Sequence, residues 1–377
     1  MGLCIRLLLL VLFTIVAATC SQEDPPEANP LKVNDWTTGN PADAGFDEVA
    51  LEKISAEIEE GAFPNTHALL IEHDGQLVYE RYFSGTDDRW GEPLGHRDFN
   101  SESLHDLRSI SKSVTATLLG IALKGDFQQA VERPVLEYLP RLSREGEQGS
   151  ITLHQVLTMT AGLEWNEMDV SYTEETNDEI RLYSVEDPAK SVLTRPIEFT
   201  PGSTWYYSGG LSQVVASIVT ELTGQTIQEY AREKLFGPLG IEEFEWLGPG
   251  TWIDNNPSAM SGLRLKARDL AKIGSVYLHG GQWKGQQIVP SDWVRLSSMR
   301  HVQEIGDWSM DGVWGYGYQW WVGDLPDGPR VVAGFGNGNQ RLFIIPEEEL
   351  VITIFAGEYN RSEHHSERIL ERVLKAR

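Results

Sequence analysis

The stretch LRSISKSVTATLLGIALKGD constrains this chain more than any other. Val114, Ala116, Leu118, Leu119, Ile121, Ala122 and Leu123 make a helix apolar enough to lie inside the protein, and Gly125 stands where such a helix ends. The fold has to be built around that helix, which carries a lysine inward. Ser109 and Lys112 are three residues apart, so hydroxyl and amine share one face of the helix, a turn apart. At the helix start Ser109 also has free backbone N–H groups and the positive end of the helix dipole near its oxygen. An amine held in a low-dielectric interior can take a serine proton. Alone, the pattern is weak: a chain of this length holds roughly one Ser-x-x-Lys by chance. Ser109 as a plain helix cap and Lys112 as a solvated surface residue is the competing reading.

Two further stretches bear on the choice. In FTPGSTWYYSGGLSQVVASIVTELTG, Pro201-Gly202 makes a turn, and Val214, Val215, Ile218, Val219 and Leu222 recur at helical spacing. A tyrosine on the loop before that helix is placed to reach a cleft, where its phenol relays a proton if a nearby cation lowers its pKa. Core aromatics are the alternative for Trp205, Tyr206 and Tyr207. In VVAGFGNGNQRLFIIPEEELVITIFAGEYN, alternation and β-branched content predict strands at Arg330 to Gly334, Gln340 to Ile345 and Leu350 to Ala356. Gly336 and Gly338 remove side chains where a substrate would approach the backbone, and the Asn339 N–H can then point at an anion. A glycine-rich hairpin explains the same residues.

Taken together and in this order, the three stretches resemble the serine β-lactamase superfamily: class C β-lactamases, D-alanyl-D-alanine carboxypeptidases, related carboxylesterases and 6-aminohexanoate-dimer hydrolases. ITLHQVLTMTAGLEW and SGLRLKARDLAKIGSVYLHGGQWKGQQIVPSDWV extend the resemblance from about Phe46 to the C-terminus. It implies that Ser109 is the nucleophile, Lys112 its amine partner and Tyr207 the tyrosine of a Tyr-x-Asn motif, with Tyr206 the runner-up. It further implies an oxyanion hole from the backbone N–H groups of Ser109 and Asn339, and substrate contacts at Gly209, Gly336, Asn337 and Gly338. Two departures stand out. Gly209 replaces the motif's asparagine, and Gly336-Asn337-Gly338 replaces a Lys-Thr-Gly strand, removing a cation that would hold a substrate carboxylate. Small esters or amides are therefore the expected substrates, cleaved through an acyl-enzyme on Ser109. Lysine and tyrosine both remain open as the base, since the pair titrates as a unit. Two other outcomes stay open, a penicillin-binding-like sensor with little turnover and a D-alanyl peptidase.

The fold class implied is mixed α/β (α+β): an antiparallel sheet built from both chain ends and flanked by helices, plus a mainly helical lobe, in the β-lactamase/transpeptidase manner. FDEVALEKISAEIEEGAF predicts a helix with Val49, Leu51, Ile54 and Ile58 on one side, and HALLIEHDGQLVYERYF predicts a hairpin around Asp74-Gly75. Residues 46–377 are expected as the catalytic domain, its helical lobe at about 109–290 inserted into the sheet lobe. The acidic loop at 164–184 offers Trp165, Tyr172 and Asp178 as substrate contacts, or is simply a solvated surface loop.

A formal charge of −25 sets the chain against nucleic acid or an anionic membrane surface as partner. Arg6, the apolar run Leu7 to Val16 and the small residues after it predict a secretory signal over residues 1–20, hence an exported, periplasmic or secreted protein. Cys20 either leaves with the signal or carries lipid as a membrane tether, since VAATC resembles a lipoprotein site. Residues 21–45 are expected as an exposed tether, their prolines and charges unable to pack. No cofactor and no metal are expected: His364 and His365 are adjacent and point apart, and no His-Glu-x-x-His pattern occurs. Gly-x-Ser-x-Gly is also absent, which counts against an α/β-hydrolase.

Overall fold

The computed structural model describes residues 36–377, apart from 143–146, 307–311, 327 and 362–363. The expected signal and most of the tether lie outside the described residues. Eight strands form the main sheet, in the order Thr37–Thr38, Gln76–Tyr82, Thr66–His73, Leu350–Ala356, Gln340–Ile345, Arg330–Gly336, Trp321–Asp324 and Val313–Tyr316. Only the first pairing is parallel. The pairing of Leu350–Ala356 with Thr66–His73 joins the two ends of the chain. Asp74 and Gly75 both take positive φ, 46° and 76°, as a two-residue hairpin turn requires.

Every residue of Leu350–Ala356 and of Gln340–Ile345 is buried, because helices cover both faces of the sheet. Successive side chains go to opposite sides. Phe343, Ile345, Ile352 and Ile354 join Leu51, Ile54, Ile369 and Leu370 of the helices Glu48–Glu59 and His365–Lys375. Leu342, Ile344 and Val351 join the core shared with Ile110–Ala122 and Ala267–Leu278. The helical lobe between the strands contributes Gly209–Thr223, which ends on Gly224 in the left-handed conformation.

Two expectations change. Val49 does not share the buried face of its helix: it is 79% exposed, directly behind the capping Asp47, and Ser55 is buried instead. The packed unit also begins before residue 46, because Trp36 is buried against Trp283 and Thr37–Thr38 adds an edge strand.

In the helix Ile110–Ala122 every residue but Ile121 is buried. Its threonines are satisfied within the helix, Thr115 donating to Ser111 O at 2.9 Å and Thr117 to Ser113 O at 2.8 Å. At Gly120 a side chain would meet the Trp293 ring 2.1 Å away, so the helix is locked to its neighbour there.

Candidate active site

The strand His105–Asp106 pairs with Leu263–Leu265 and leads into the buried helix. Arg108 makes the corner with φ of 50°, held by Asp106 at 3.0 Å and by the ring of Tyr359 beneath its guanidinium. Ser109 follows as N-cap in helical conformation, and its side chain makes no capping bond. The hydroxyl is directed to the amine instead. Lys112, 1% exposed, reaches Ser109 Oγ at 3.0 Å, Met260 O at 2.8 Å and Glu179 Oε2 at 3.5 Å. The reading of Ser109 as a cap with Lys112 in solvent is thereby removed.

Tyr207 is buried beside them, with Lys112 Nζ 5.0 Å from its ring centre and Trp321 stacked on it, and it lines the first cleft lobe together with Ser109. Burial, seconded by the nearby Glu167, holds the phenol's pKa well above its ordinary value, and the neighbouring Ser109 hydroxyl offsets only part of that. The net shift is upward and not the lowering by a cation considered above, although Lys112 Nζ lies 5.0 Å from the ring centre. Tyr206 faces elsewhere and donates to Asp169 at 3.2 Å.

Glu167 lies beneath the site, fully buried, and accepts from Gly209 N at 2.6 Å, Trp165 Nε1 at 2.7 Å and the Tyr172 hydroxyl at 2.8 Å. Burial first, then the charge of Glu179, pushes its carboxyl up to about 7. Sequence reading missed both glutamates. The one signal for them was Gly209, whose absent side chain leaves a space that something must fill.

Ser109 sits where two cleft lobes meet, of about 410 Å³ and 360 Å³. Tyr207, Trp321 and Phe335 line the first, Trp90, Tyr183 and Leu247 the second, and Tyr172 and Asn337 border both. Gly336, Gly338 and Asn339 line the first lobe. Their room is largely taken by protein: a side chain at Gly336 would meet Leu107 O at 2.3 Å, and one at Gly338 the Tyr359 ring at 2.5 Å. Asn337 is tied to Asn360 by two 2.7 Å bonds. Gly209 lines neither lobe, since its N–H is spent on Glu167 and its open side faces carboxylates, which corrects its assignment as a substrate contact. Trp165 and Asp178 are likewise structural. Trp165 is buried under Arg195, and Asp178 forms a two-pronged ion pair with that arginine at 2.7 and 2.9 Å. Cations do reach the first lobe from outside the glycine-rich turn: Arg361, exposed, and Arg341, which is paired with Glu367 at 2.6 Å.

Among the described residues, one group has metal-ligand chemistry: His67, Asp87 and His105, all buried. His67 Nδ1 and His105 Nε2 lie 2.9 Å apart in a mutual hydrogen bond, and Tyr359 donates to Asp87 at 2.9 Å. Two nitrogens on a tetrahedral zinc stand roughly 3.3 Å apart. Each imidazole thus spends one nitrogen on the other, and His105 directs its second to the Asp106 carbonyl.

Fold and site together define a serine hydrolase of the Ser-x-x-Lys type. The chain belongs to the Beta-lactamase family, whose sequence model matches residues 54–375. A 6-aminohexanoate-dimer hydrolase from Paenarthrobacter ureafaciens is 27% identical over 300 residues, 76% of this chain and 71% of that one. Esterase EstB from Burkholderia gladioli is 24% identical over 188 residues, covering 46% of this chain and 45% of the relative. A penicillin-binding protein homologue from Caulobacter crescentus superposes with a TM-score of 0.66 at 16% identity, covering 90% of this chain and 99% of its own. A family VIII carboxylesterase gives 0.67 at 14%, with the same coverage. At such identities the superpositions speak for the fold alone.

Proposed function

We propose that the protein hydrolyses a small ester or amide through an acyl-enzyme on Ser109. The observation that carries this is the 3.0 Å contact between Lys112 Nζ and Ser109 Oγ at the junction of two cleft lobes. An acyl compound has two sides, and each lobe takes one. The relatives named for an amide dimer and for an esterase support the same substrate range.

Ser109 Oγ attacks the carbonyl carbon and its proton passes to Lys112. With two N–H groups directed to Met260 O and Glu179, the remaining valence of the amine faces the serine. Backbone N–H groups of Ser109 and Asn339 receive the developing oxyanion. Tyr207, proton-bearing and beside Ser109 and Lys112, gives its proton to the leaving alkoxide or amine and regains one from Lys112. Water then attacks the acyl carbon by the reverse route. The glycine-rich turn lacks the Lys-Thr-Gly cation, which counts against β-lactams, and the cations that line the first lobe instead are Arg361 and the Glu367-paired Arg341.

The test is a panel of short acyl esters, linear amides including the 6-aminohexanoate dimer, and a chromogenic cephalosporin. Turnover of an ester or linear amide is expected. Folded protein that turns over none of them counts against the proposal, and a long-lived adduct on Ser109 without release favours a sensor. Export is proposed from residues 1–20 alone, and signal cleavage or lipid on Cys20 is checked by mass spectrometry of the protein from membrane and soluble fractions. No helix of the described residues is long and apolar enough to cross a membrane.

A further inference from the structure

We propose that Glu179 is a positioning residue for Lys112, taking the place that a side chain at residue 209 would otherwise occupy. A Cβ added to Gly209 would lie 2.5 Å from Glu179 Oε2 and 3.2 Å from Glu167 Oε2. The space beside the lysine that an asparagine would fill is therefore filled by a carboxylate from a segment thirty residues away in sequence. That same Oε2 is the atom facing Lys112 Nζ at 3.5 Å.

The carboxylate is held from behind. Ser261 Oγ donates to Glu179 Oε1 at 2.9 Å and stands 3.2 Å from the Tyr183 hydroxyl, while the Glu179 N–H is capped by Asn177 Oδ1 at 2.9 Å. With Met260 O as the second acceptor, Glu179 fixes the rotation of the ammonium about its terminal bond, and so the direction of the valence left for Ser109. An amide presents one acceptor oxygen and no charge. A carboxylate also favours a positively charged lysine, so it holds the proton taken from Ser109 until Tyr207 needs it. Glu167 plays a different part: all three of its donors come from protein around it, which makes it the floor on which Gly209 and Tyr172 rest.

This rests on the reading of Lys112 as the partner of Ser109, and the experiment separates the two. The rate of Ser109 labelling by a fluorophosphonate is followed against pH in the wild type, Glu179→Gln, Gly209→Asn and the double variant Glu179→Ala/Gly209→Asn. Glu179→Gln preserves shape, so folding is retained. Its plateau rate should fall about tenfold, and the acid limb of its pH profile should move to lower pH, because a neighbouring negative charge is gone. Gly209→Asn alone collides with the carboxylate and should lose about a hundredfold. The double variant should recover at least tenfold of that loss, as the new amide enters the vacated space. A Glu179→Gln profile that coincides with wild type overturns the inference while leaving the proposed function intact, as does a double variant no faster than Gly209→Asn. Wild-type protein that is not labelled at Ser109 overturns both.

Discussion

Among the described residues, clusters of buried titratable groups stand on either side of the corner at Arg108, and two of them differ in kind. One holds Lys112, Glu167, Glu179 and Tyr207, the other His67, Asp87 and His105. Both are perturbed by burial: the Glu167 carboxyl is pushed up to about 7, and the imidazoles are held down at about 2 for His67 and about 3 for His105. The difference lies in where their bonds go. In the first cluster Lys112, with Glu179 behind it and Tyr207 beside it, bonds to the Ser109 oxygen, which faces open cleft. In the second the two rings bond to each other, His105 is closed by the Asp106 carbonyl, and Phe99 and Phe355 stack on the outside. A shifted pKa marks burial. A valence left pointing at a cavity marks chemistry.

The comparison breaks if Lys112 is dispensable. Lys112→Met should slow fluorophosphonate labelling about a thousandfold, within the span of a lost general base, and rates near wild type would place the first cluster with the second. Tyr207→Phe should cost about a hundredfold in ester kcat with a smaller change in KM, because its proton is needed as the leaving group departs.

The second cluster should govern stability and not rate. A buried neutral imidazole, its pKa depressed in the folded state, contributes stability that is whole above about 6.5 and is lost as pH falls, because the unfolded chain binds the proton first. Asp106, raised to about 6 by burial, works against this between its ordinary value and 6. The clean quantity is thus a difference between variants. From pH 6.5 to 4.5 the wild type should lose about 2 kcal/mol more than His67→Gln in urea unfolding, because the unfolded imidazole goes from half to fully protonated over those two pH units while the folded one stays neutral. Parallel curves would show that His67 is not held neutral. The smallest effect is expected from Tyr206→Phe, whose hydroxyl reaches only Asp169: ester kcat should change less than about twofold. A hundredfold loss there would exchange the roles of the two tyrosines.

The Ser-x-x-Lys helix, the Asp74-Gly75 hairpin and the last three strands were legible because each is written locally, in apolar periodicity or turn chemistry. The strand Arg330–Gly336 runs two residues past its expected end, since Gly336 still pairs with Gln340. Glu167 and Glu179 were not legible. Glu167 sits in a loop and Glu179 in the five-residue helix Asp178–Leu182, too short to show periodicity, and their role follows from what is missing at Gly209, 42 and 30 positions away in sequence. The His67 and His105 pair is hidden for the same reason, as is the burial of Trp36, whose partner Trp283 lies in a different element. Gly336 and Gly338 show the opposite failure. Their pattern was visible, but whether the space belonged to substrate or to Leu107 and Tyr359 depended on packing across the chain.

The most direct test of the account is peptide mapping by mass spectrometry after fluorophosphonate treatment of the wild type and of Ser109→Ala. The account predicts a single adduct on the peptide carrying Ser109 in the wild type and none in the variant, with both proteins folded. Undiminished labelling of Ser109→Ala, or an adduct at any other residue, would contradict it.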